Sequence, residues 1–206
     1  MQPRKSHRGS FVGDPVSPPV IDNKWVRLEV LAARHRDAMQ AVAADPDLWR
    51  FHYQNQYGKT FDHWLDLYCQ GTDDGDICCF AVFDVATGQL AGSSTFLAIS
   101  APFKRLEIGS TWYAKPFQGG VTNPATKLAM MTHVFETLGW RRVEFKLDAD
   151  NKRSWAAMKK LGATEEGIFR KHMILPDGKN RDSVWFSVID DDWPRVKAGL
   201  MQRLER

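Results

Sequence analysis

The pattern of strands and helices along the chain predicts a mixed α/β fold, of the α+β-like kind, with one central sheet. Residues 106–138 have the pattern of a strand, a glycine-bearing loop and a helix. Residues 142–167 have the pattern of a strand, a helix and the start of another strand. Alternating apolar residues on either side of these stretches indicate further strands. Strands and helices mixed in this order pack as a sheet flanked by helices.

The N-terminal half is predicted to place two helices among several strands. Val26, Leu28 and Val30 alternate as a first strand. A helix then extends over residues 32–44, and a second helix begins at Thr60. The elements that follow are an acidic turn at Asp73, Asp74 and Asp76, a strand at residues 77–83, a hairpin turn at Thr87 and Gly88, a strand at residues 90–99 and a link at residues 102–104.

The next strand and helix enclose the glycine-bearing loop. The strand alternates between two faces, with Leu106, Ile108 and Ser110 on one and Glu107, Gly109 and Thr111 on the other. One face of the helix carries Leu128, Met131, Phe135 and Leu138. Gly139 then closes the helix as a left-handed cap.

The loop of residues 118–122 is predicted to bind an anion. Asn123 stands where a helix N-cap belongs and Pro124 where the first helical residue belongs. The amides of the first turn have no partner inside the helix, and the helix dipole favours negative charge there. Gly119 and Gly120 allow a ligand to approach the backbone closely. A phosphate or pyrophosphate is therefore the expected guest.

The C-terminal third is predicted to form a hairpin and a last helix. Two strands, at residues 164–175 and 183–189, are joined by a Pro-Asp-Gly turn at residues 176–178. The helix begins near the acidic run of residues 190–192, whose carboxylates suit a helix N-terminus. Its apolar face carries Val196, Leu200 and Leu204.

Length and composition indicate a single globular domain over residues 21–206, preceded by a leader at residues 1–20. With 206 residues, of which 43% are hydrophobic, the chain can bury a sizeable core. The leader is rich in Arg, Pro and Ser and is expected to be disordered, an expression remnant or a misassigned start. The net charge of +3, from 28 basic and 25 acidic residues, is too balanced to indicate nucleic-acid binding.

The apolar segments and the cysteines indicate a cytoplasmic protein that does not enter a membrane. The leader lacks the apolar region of a signal peptide, and the longest apolar run, at residues 77–83, is far shorter than the ~20 residues that span a bilayer. Cys69, Cys78 and Cys79 are expected to be reduced core residues. Their spacing matches no zinc site, so no metal is expected.

Two blocks of the sequence resemble the GNAT superfamily of acyl-CoA-dependent N-acetyltransferases. The family's pyrophosphate loop has the pattern Q/R-x-x-G-x-G/A, and Gln118 occupies its first position, whereas Val121 and Asn123 replace the two small residues. Residues 142–167 resemble the ribosomal-protein N-terminal acetyltransferase branch. The matching residues there are Asp148, Asp150, Asn151, Ser154, Leu161, Gly162, Ala163, Glu165, Glu166 and Gly167.

The resemblance implies the GNAT fold, whose mostly antiparallel sheet is splayed at the cofactor site, and acetyl-CoA as co-substrate. Backbone groups of Thr111, Trp112 and Tyr113 would hydrogen-bond the pantetheine arm in the manner of an added strand. The pyrophosphate would lie against Gln118, Gly119, Gly120, Val121, Thr122 and Asn123. Asn151 would contact the cofactor near its sulfur.

The same resemblance suggests catalytic residues, each of which has a structural alternative. Ser154 could donate a hydrogen bond to the leaving thiolate, or merely satisfy the start of its helix. Many members carry a tyrosine general acid seven residues after the asparagine, and this chain has Met158 there. Glu107 is the first candidate for the general base, with a surface carboxylate as its alternative. His172 and Glu166 are the reserves.

The acceptor is not identified by the sequence. A peptide N-terminus, a free amino acid and a small amine are all compatible with an N-acetyltransferase that works by direct attack in a ternary complex. A homodimer is possible. The alternative is an acyl-CoA-binding module without turnover, which the departures at Val121, Asn123 and Met158 leave open.

Overall fold

The computed structural model describes residues 16, 18, 20–50, 52, 58–175 and 177–206. Most of the predicted leader lies outside these residues, as do the 53–57 segment and Pro176 of the predicted turn. Within the leader, Val16 is buried in the main core and Val20 opens the first strand.

A single sheet of eight strands runs through the described part of the chain. The strands are β1 (Val20–Asp22), β2 (Val26–Val30), β3 (Cys78–Asp84), β4 (Leu90–Ser100), β5 (Arg105–Tyr113), β6 (Arg142–Asp148), β7 (Thr164–Ile174) and β8 (Asn180–Ile189). Their order in space is β1-β2-β3-β4-β5-β6-β8-β7. The large, mostly antiparallel sheet with flanking helices confirms the predicted fold class.

Strands β5 and β6 run parallel, and the stretch over which they pair is short. It extends from the pair Arg105 and Arg142 to the pair Glu107 and Glu144. Both strands continue beyond that point, β5 to Tyr113 and β6 to Asp148. The sheet is therefore open between residues 108–113 of β5 and residues 145–148 of β6, a space here called the β5–β6 opening.

Helices cover both faces of the sheet. They are α1 (Arg36–Ala43), α2 (Phe61–Asp73), α3 (Thr122–Thr132), α4 (Lys152–Leu161) and α5 (Trp193–Leu204). Side chains of α3, α4 and α5 join the main core with Phe80, Phe96 and Phe145. Side chains of α1 and α2 form a second core with Cys79 and Trp112. Neighbouring strand residues enter different cores because successive side chains of a strand point to opposite faces.

Helix α3 begins earlier than predicted, and the predicted cap is wrong. Its N-cap is Val121, which makes no side-chain cap, and the Val121 carbonyl accepts from the Ala125 amide at 2.9 Å. Asn123 is therefore inside the first turn. Pro124 is accepted there because the amides of the first turn need no partner inside the helix. The helix continues as a π-helical turn, His133–Thr137, and Gly139 has the predicted left-handed conformation, with φ of 62°.

Two of the three cysteines are core residues as expected: Cys78 and Cys79 are buried free thiols, whereas Cys69 is a free thiol that is only half-buried. Gly162 ends α4 in the left-handed conformation, with φ of 84°. The apolar face of α5 is buried as predicted. None of the helices in the described residues has the length and apolar character needed to cross a membrane.

Candidate active site

A β-bulge shapes the strand that borders the β5–β6 opening. Thr95 of β4 pairs with Gly109 and Ser93 pairs with Trp112, so β5 contains one extra residue there. Ser110 takes the strained φ of 43°, and its hydroxyl lies 2.9 Å from the Tyr68 hydroxyl. The bulge thereby reverses which face each following side chain of β5 points to.

The backbone of Thr111, Trp112 and Tyr113 forms one wall of the opening. On the other side this segment lies tightly against β4, because a Cβ added to Gly92 would stand 2.1 Å from the Trp112 carbonyl oxygen. Toward the opening, no strand among the described residues pairs with β5 beyond Glu107. A ligand that enters there meets backbone polar groups instead of a neighbouring strand.

The loop after β5 has an accessible backbone, and the side chain of Gln118 links it to α4. The Gln118 side-chain nitrogen donates to the Tyr113 carbonyl at 2.8 Å, and the side-chain oxygen accepts from Arg153 of α4 at 2.8 Å. Gly119 has φ of 79°, and a Cβ at Gly119 or Gly120 would meet nothing within 4 Å. The Gln118 side chain is thus engaged within the protein, while the backbone at Gly119 and Gly120 is approachable.

The start of α4 lies across from this loop, as the bond between Arg153 and Gln118 requires. Asn151 is its N-cap, and the Asn151 side-chain oxygen accepts from the Ser154 amide at 3.0 Å. Ser154 is half-buried in the first turn. Its backbone amide is engaged by Asn151, and its hydroxyl has no hydrogen-bond partner among the described residues. Met158 is buried in the main core, so it is a packing residue at the position where the family often has an acid.

Glu107 lies where β5 and β6 separate, and it is buried rather than on the surface. The side chain is 3% exposed, and Lys146 of β6 lies 3.3 Å from its carboxylate. Burial raises the pKa of Glu107, and the Lys146 charge opposes that rise in part. Gly109 leaves space for this carboxylate, because a Cβ there would stand 2.8 Å from Glu107 Oε1. A buried carboxylate of raised pKa suits a general base.

The two reserve candidates on β7 have different environments. Glu166 accepts from Ser187 and from Arg142, and these bonds lower its pKa. That environment keeps Glu166 ionised in an ion pair. His172 Nδ1 lies 3.0 Å from the Ser183 hydroxyl, and partial burial, with Lys146 and Arg181 nearby, lowers the pKa of His172.

The sequence did not predict a group of polar residues around Arg181, whose charge reaches Glu107. Arg181 is buried beside Asp148, at 3.7 Å, and its charge also acts on Glu107 and His172. Burial, together with that charge, lowers the pKa of His52 to about 4. These groups come from β8, β6 and the segment after α1, so only the folded topology brings them together.

Lys127 is a further residue that the sequence interpretation missed. It is 5% exposed, and its Nζ donates to the Thr111 hydroxyl at 3.2 Å. Burial lowers the pKa of Lys127 to about 7, and Glu107 opposes this in part. The signal was present in the sequence, because residues 124–131 form a helix that is otherwise apolar or small on all sides, and such a helix is buried.

Comparisons with known proteins agree on one family. A family model described as an acetyltransferase (GNAT) domain matches residues 26–164. A GCN5-related N-acetyltransferase from Brucella melitensis is 31% identical, with 90% of this chain and 85% of that chain covered and a TM-score of 0.84. A putative acetyltransferase from T. thermophilus is 36% identical, with 91% and 97% covered and a TM-score of 0.80.

A more distant structure has the same fold and contains a cofactor derivative. Mycobacterium smegmatis RimJ in complex with CoA-disulfide is 18% identical, with 90% of this chain and 92% of that chain covered and a TM-score of 0.74. No curated protein sequence matches the chain.

Proposed function

The chain belongs to the GNAT acetyltransferase domain family, and from that premise we propose that it transfers an acetyl group from acetyl-CoA to a primary amine. The reaction would be a direct attack of the amine on the thioester in a ternary complex. The observation that carries the proposal is the β5–β6 opening, bordered by unpaired backbone on β5 and by the loop before α3. Residues 21–206 would form the acetyltransferase domain.

The residues around the opening fit acetyl-CoA. The amides of residues 119–123 would hold the pyrophosphate, which is supported by the space at Gly119 and Gly120 and by the start of α3. Gln118 would act indirectly, since its side chain joins β5 to α4. The backbone of residues 111–113 would hydrogen-bond the pantetheine arm, and an amide there would face the oxygen on which negative charge develops.

Glu107 is the proposed general base. Its burial raises its pKa, which makes the carboxylate a stronger proton acceptor for the attacking ammonium. Ser154 would donate a hydrogen bond to the departing sulfur, because the cap from Asn151 engages the Ser154 amide and not the hydroxyl. Asn151 would contact the cofactor through the rest of its side chain.

The acceptor is proposed to be a peptide N-terminus, with an amino acid or a small amine as the other candidates. The N-terminal choice rests on the resemblance of residues 142–167 to the ribosomal-protein branch, and RimJ has the same fold. Arg181, His52 and His172 would form the wall nearest to the acceptor, since the charge of Arg181 acts on Glu107 as well as on both histidines.

A panel assay tests the proposal. The protein is incubated with acetyl-CoA and with peptides, amino acids or polyamines, while released thiol and the mass of the acceptor are followed. We expect thiol release that depends on one class of amine, with an equal amount of acetylated product. Tight binding of acetyl-CoA without release by any amine would instead support the binding module.

A further inference from the structure

Lys127 places a buried ammonium group beside the β5–β6 opening. Its Nζ is 3.2 Å from the hydroxyl of Thr111 and 5.4 Å from the centre of the Phe145 ring. Thr111 lies on the β5 wall and Phe145 on the β6 wall, so Lys127 reaches from α3 to the floor of the space between the strands. The Thr111 hydroxyl, which accepts the hydrogen bond from Lys127, is itself held by the Ser94 hydroxyl at 2.7 Å.

The charge of Lys127 is poorly compensated by the protein itself. Among the residues that the structure describes, it takes part in no ion pair, and Glu107 is the charged group that acts on it from a distance. On the β6 side, its neighbour is the Phe145 ring. On the β4 side, the Ser94 hydroxyl contacts Thr111 and not Lys127 itself. Burial of an ammonium group without a carboxylate partner is costly, so such a group is a candidate for function.

The chemistry of thioester cleavage requires a partner of this kind. When the carbon–sulfur bond breaks, its electron pair stays on sulfur as a thiolate, and the usual tyrosine acid is replaced by the core residue Met158. Ser154 can share a hydrogen bond with that sulfur but cannot readily give up its proton. A lysine can do so, because its ammonium group stabilises the thiolate as it forms and can pass a proton to it.

We propose that Lys127 is the proton donor to the departing thiolate, an inference that rests on the proposed acetyl transfer. Glu107 accepts the proton of the attacking amine, and Lys127 gives a proton to the sulfur as the carbon–sulfur bond breaks. Glu107 then returns its proton to Lys127 through the β5–β6 opening. Both side chains end in their starting states, and one proton has moved from the amine to the thiol.

The experiment measures the thiol of bound CoA rather than turnover. CoA is first titrated into the protein by calorimetry, and its thiolate absorbance is then followed against pH, bound and free. In the wild type we expect about tenfold more thiolate than for free CoA at the same pH, because the ammonium group stabilises the charge. Lys127→Met should remove this excess.

The control is Lys197→Met, which removes an exposed lysine of α5 that pairs with Glu136 in the π-helical turn after α3. It should behave as the wild type. A bound thiol with the pKa of free CoA in the wild type overturns the inference, even if Lys127→Met does not fold. An excess of thiolate that survives in Lys127→Met also overturns it. Failure of CoA to bind at all would count against the proposed function instead.

Discussion

Two buried charges of opposite sign border the β5–β6 opening, and their environments shift their pKa values toward each other. Burial raises the pKa of Glu107 and lowers the pKa of Lys127 to about 7. Each shift favours the neutral form, because a charge loses hydration when it is buried. Acetyl transfer takes a proton from the amine and gives one to the sulfur. A pair of titratable groups, one set to accept a proton and the other to donate one, suits such a reaction.

Replacement of Glu107 by glutamine should separate chemistry from binding. We expect Glu107→Gln to lower kcat by roughly 10-fold or more and to leave acetyl-CoA affinity within a few-fold, because the amide keeps the shape but accepts no proton. In the wild type, kcat should fall as pH drops through the raised pKa of Glu107. Full turnover of Glu107→Gln across the pH range would show that the ion pair with Lys146 is only structural.

The same division of effects is expected for Ser154→Ala. The Ser154 amide keeps its bond to Asn151, so α4 should remain intact while the hydroxyl is lost. Steady-state kinetics should show a lower kcat, and calorimetry should show unchanged acetyl-CoA binding. Unchanged kcat would return Ser154 to the alternative in which it is only part of the helix start.

The burial of Lys127 should also appear in the pH dependence of stability. A lysine in an unfolded chain titrates near ~10.4, whereas the pKa in the native protein is about 7. Between these values the unfolded chain binds a proton that the native protein does not, so this group makes the free energy of unfolding rise with pH. Below about 7 both states are protonated, and the contribution to the slope vanishes.

Urea unfolding of the wild type and of Lys127→Met at a series of pH values tests this directly. The difference between their free energies of unfolding should change in favour of the wild type as the pH rises from neutral into the alkaline range. Lys197→Met provides the control for a lysine whose charge is exposed. A difference that does not depend on pH would mean that Lys127 is not buried as described.

At the scale of elements, local patterns were predictable and the contacts between distant elements were not. The strand, loop and helix over residues 106–138 follow from periodicity and glycine placement. The prediction that Asn123 caps α3 was wrong. A proline needs no amide partner at any position of the first turn, so the Asn-Pro pair could not show at which residue the helix begins. The bulge at Ser110 and the end of pairing after Glu107 depend on β4 and β6, which no local pattern includes.

The loop before α3 gives the sharpest test at this scale. Gly120→Glu places a carboxylate where the pyrophosphate should lie, so repulsion and lost backbone approach should weaken acetyl-CoA binding severely. Gly199→Glu makes the same chemical change on the exposed side of α5, where a Cβ also meets nothing within 4 Å. Calorimetry should show a loss of affinity for the first variant only. Equal affinity of both variants would exclude the loop as the pyrophosphate site.

At the scale of the whole molecule, the β5–β6 opening divides the sheet into two parts. Strands β1 to β5 form one part, in which α2 packs on β3 and α1 on β4, whereas β6, β8 and β7 form the other part. The two parts are joined directly by the short parallel pairing that ends at Glu107 and Glu144. A ligand hydrogen-bonded to β5 and held by α3 would complete the site between them, so its binding should stabilise the native fold.

Titration of the wild-type protein with acetyl-CoA, followed by calorimetry and by the unfolding transition, tests this central claim most directly. We predict one site per chain, and a gain of about 2.7 kcal/mol in the free energy of unfolding at ~100 times the dissociation constant. Absence of both binding heat and stabilisation at millimolar acetyl-CoA would contradict the assignment of the β5–β6 opening as the acetyl-CoA site.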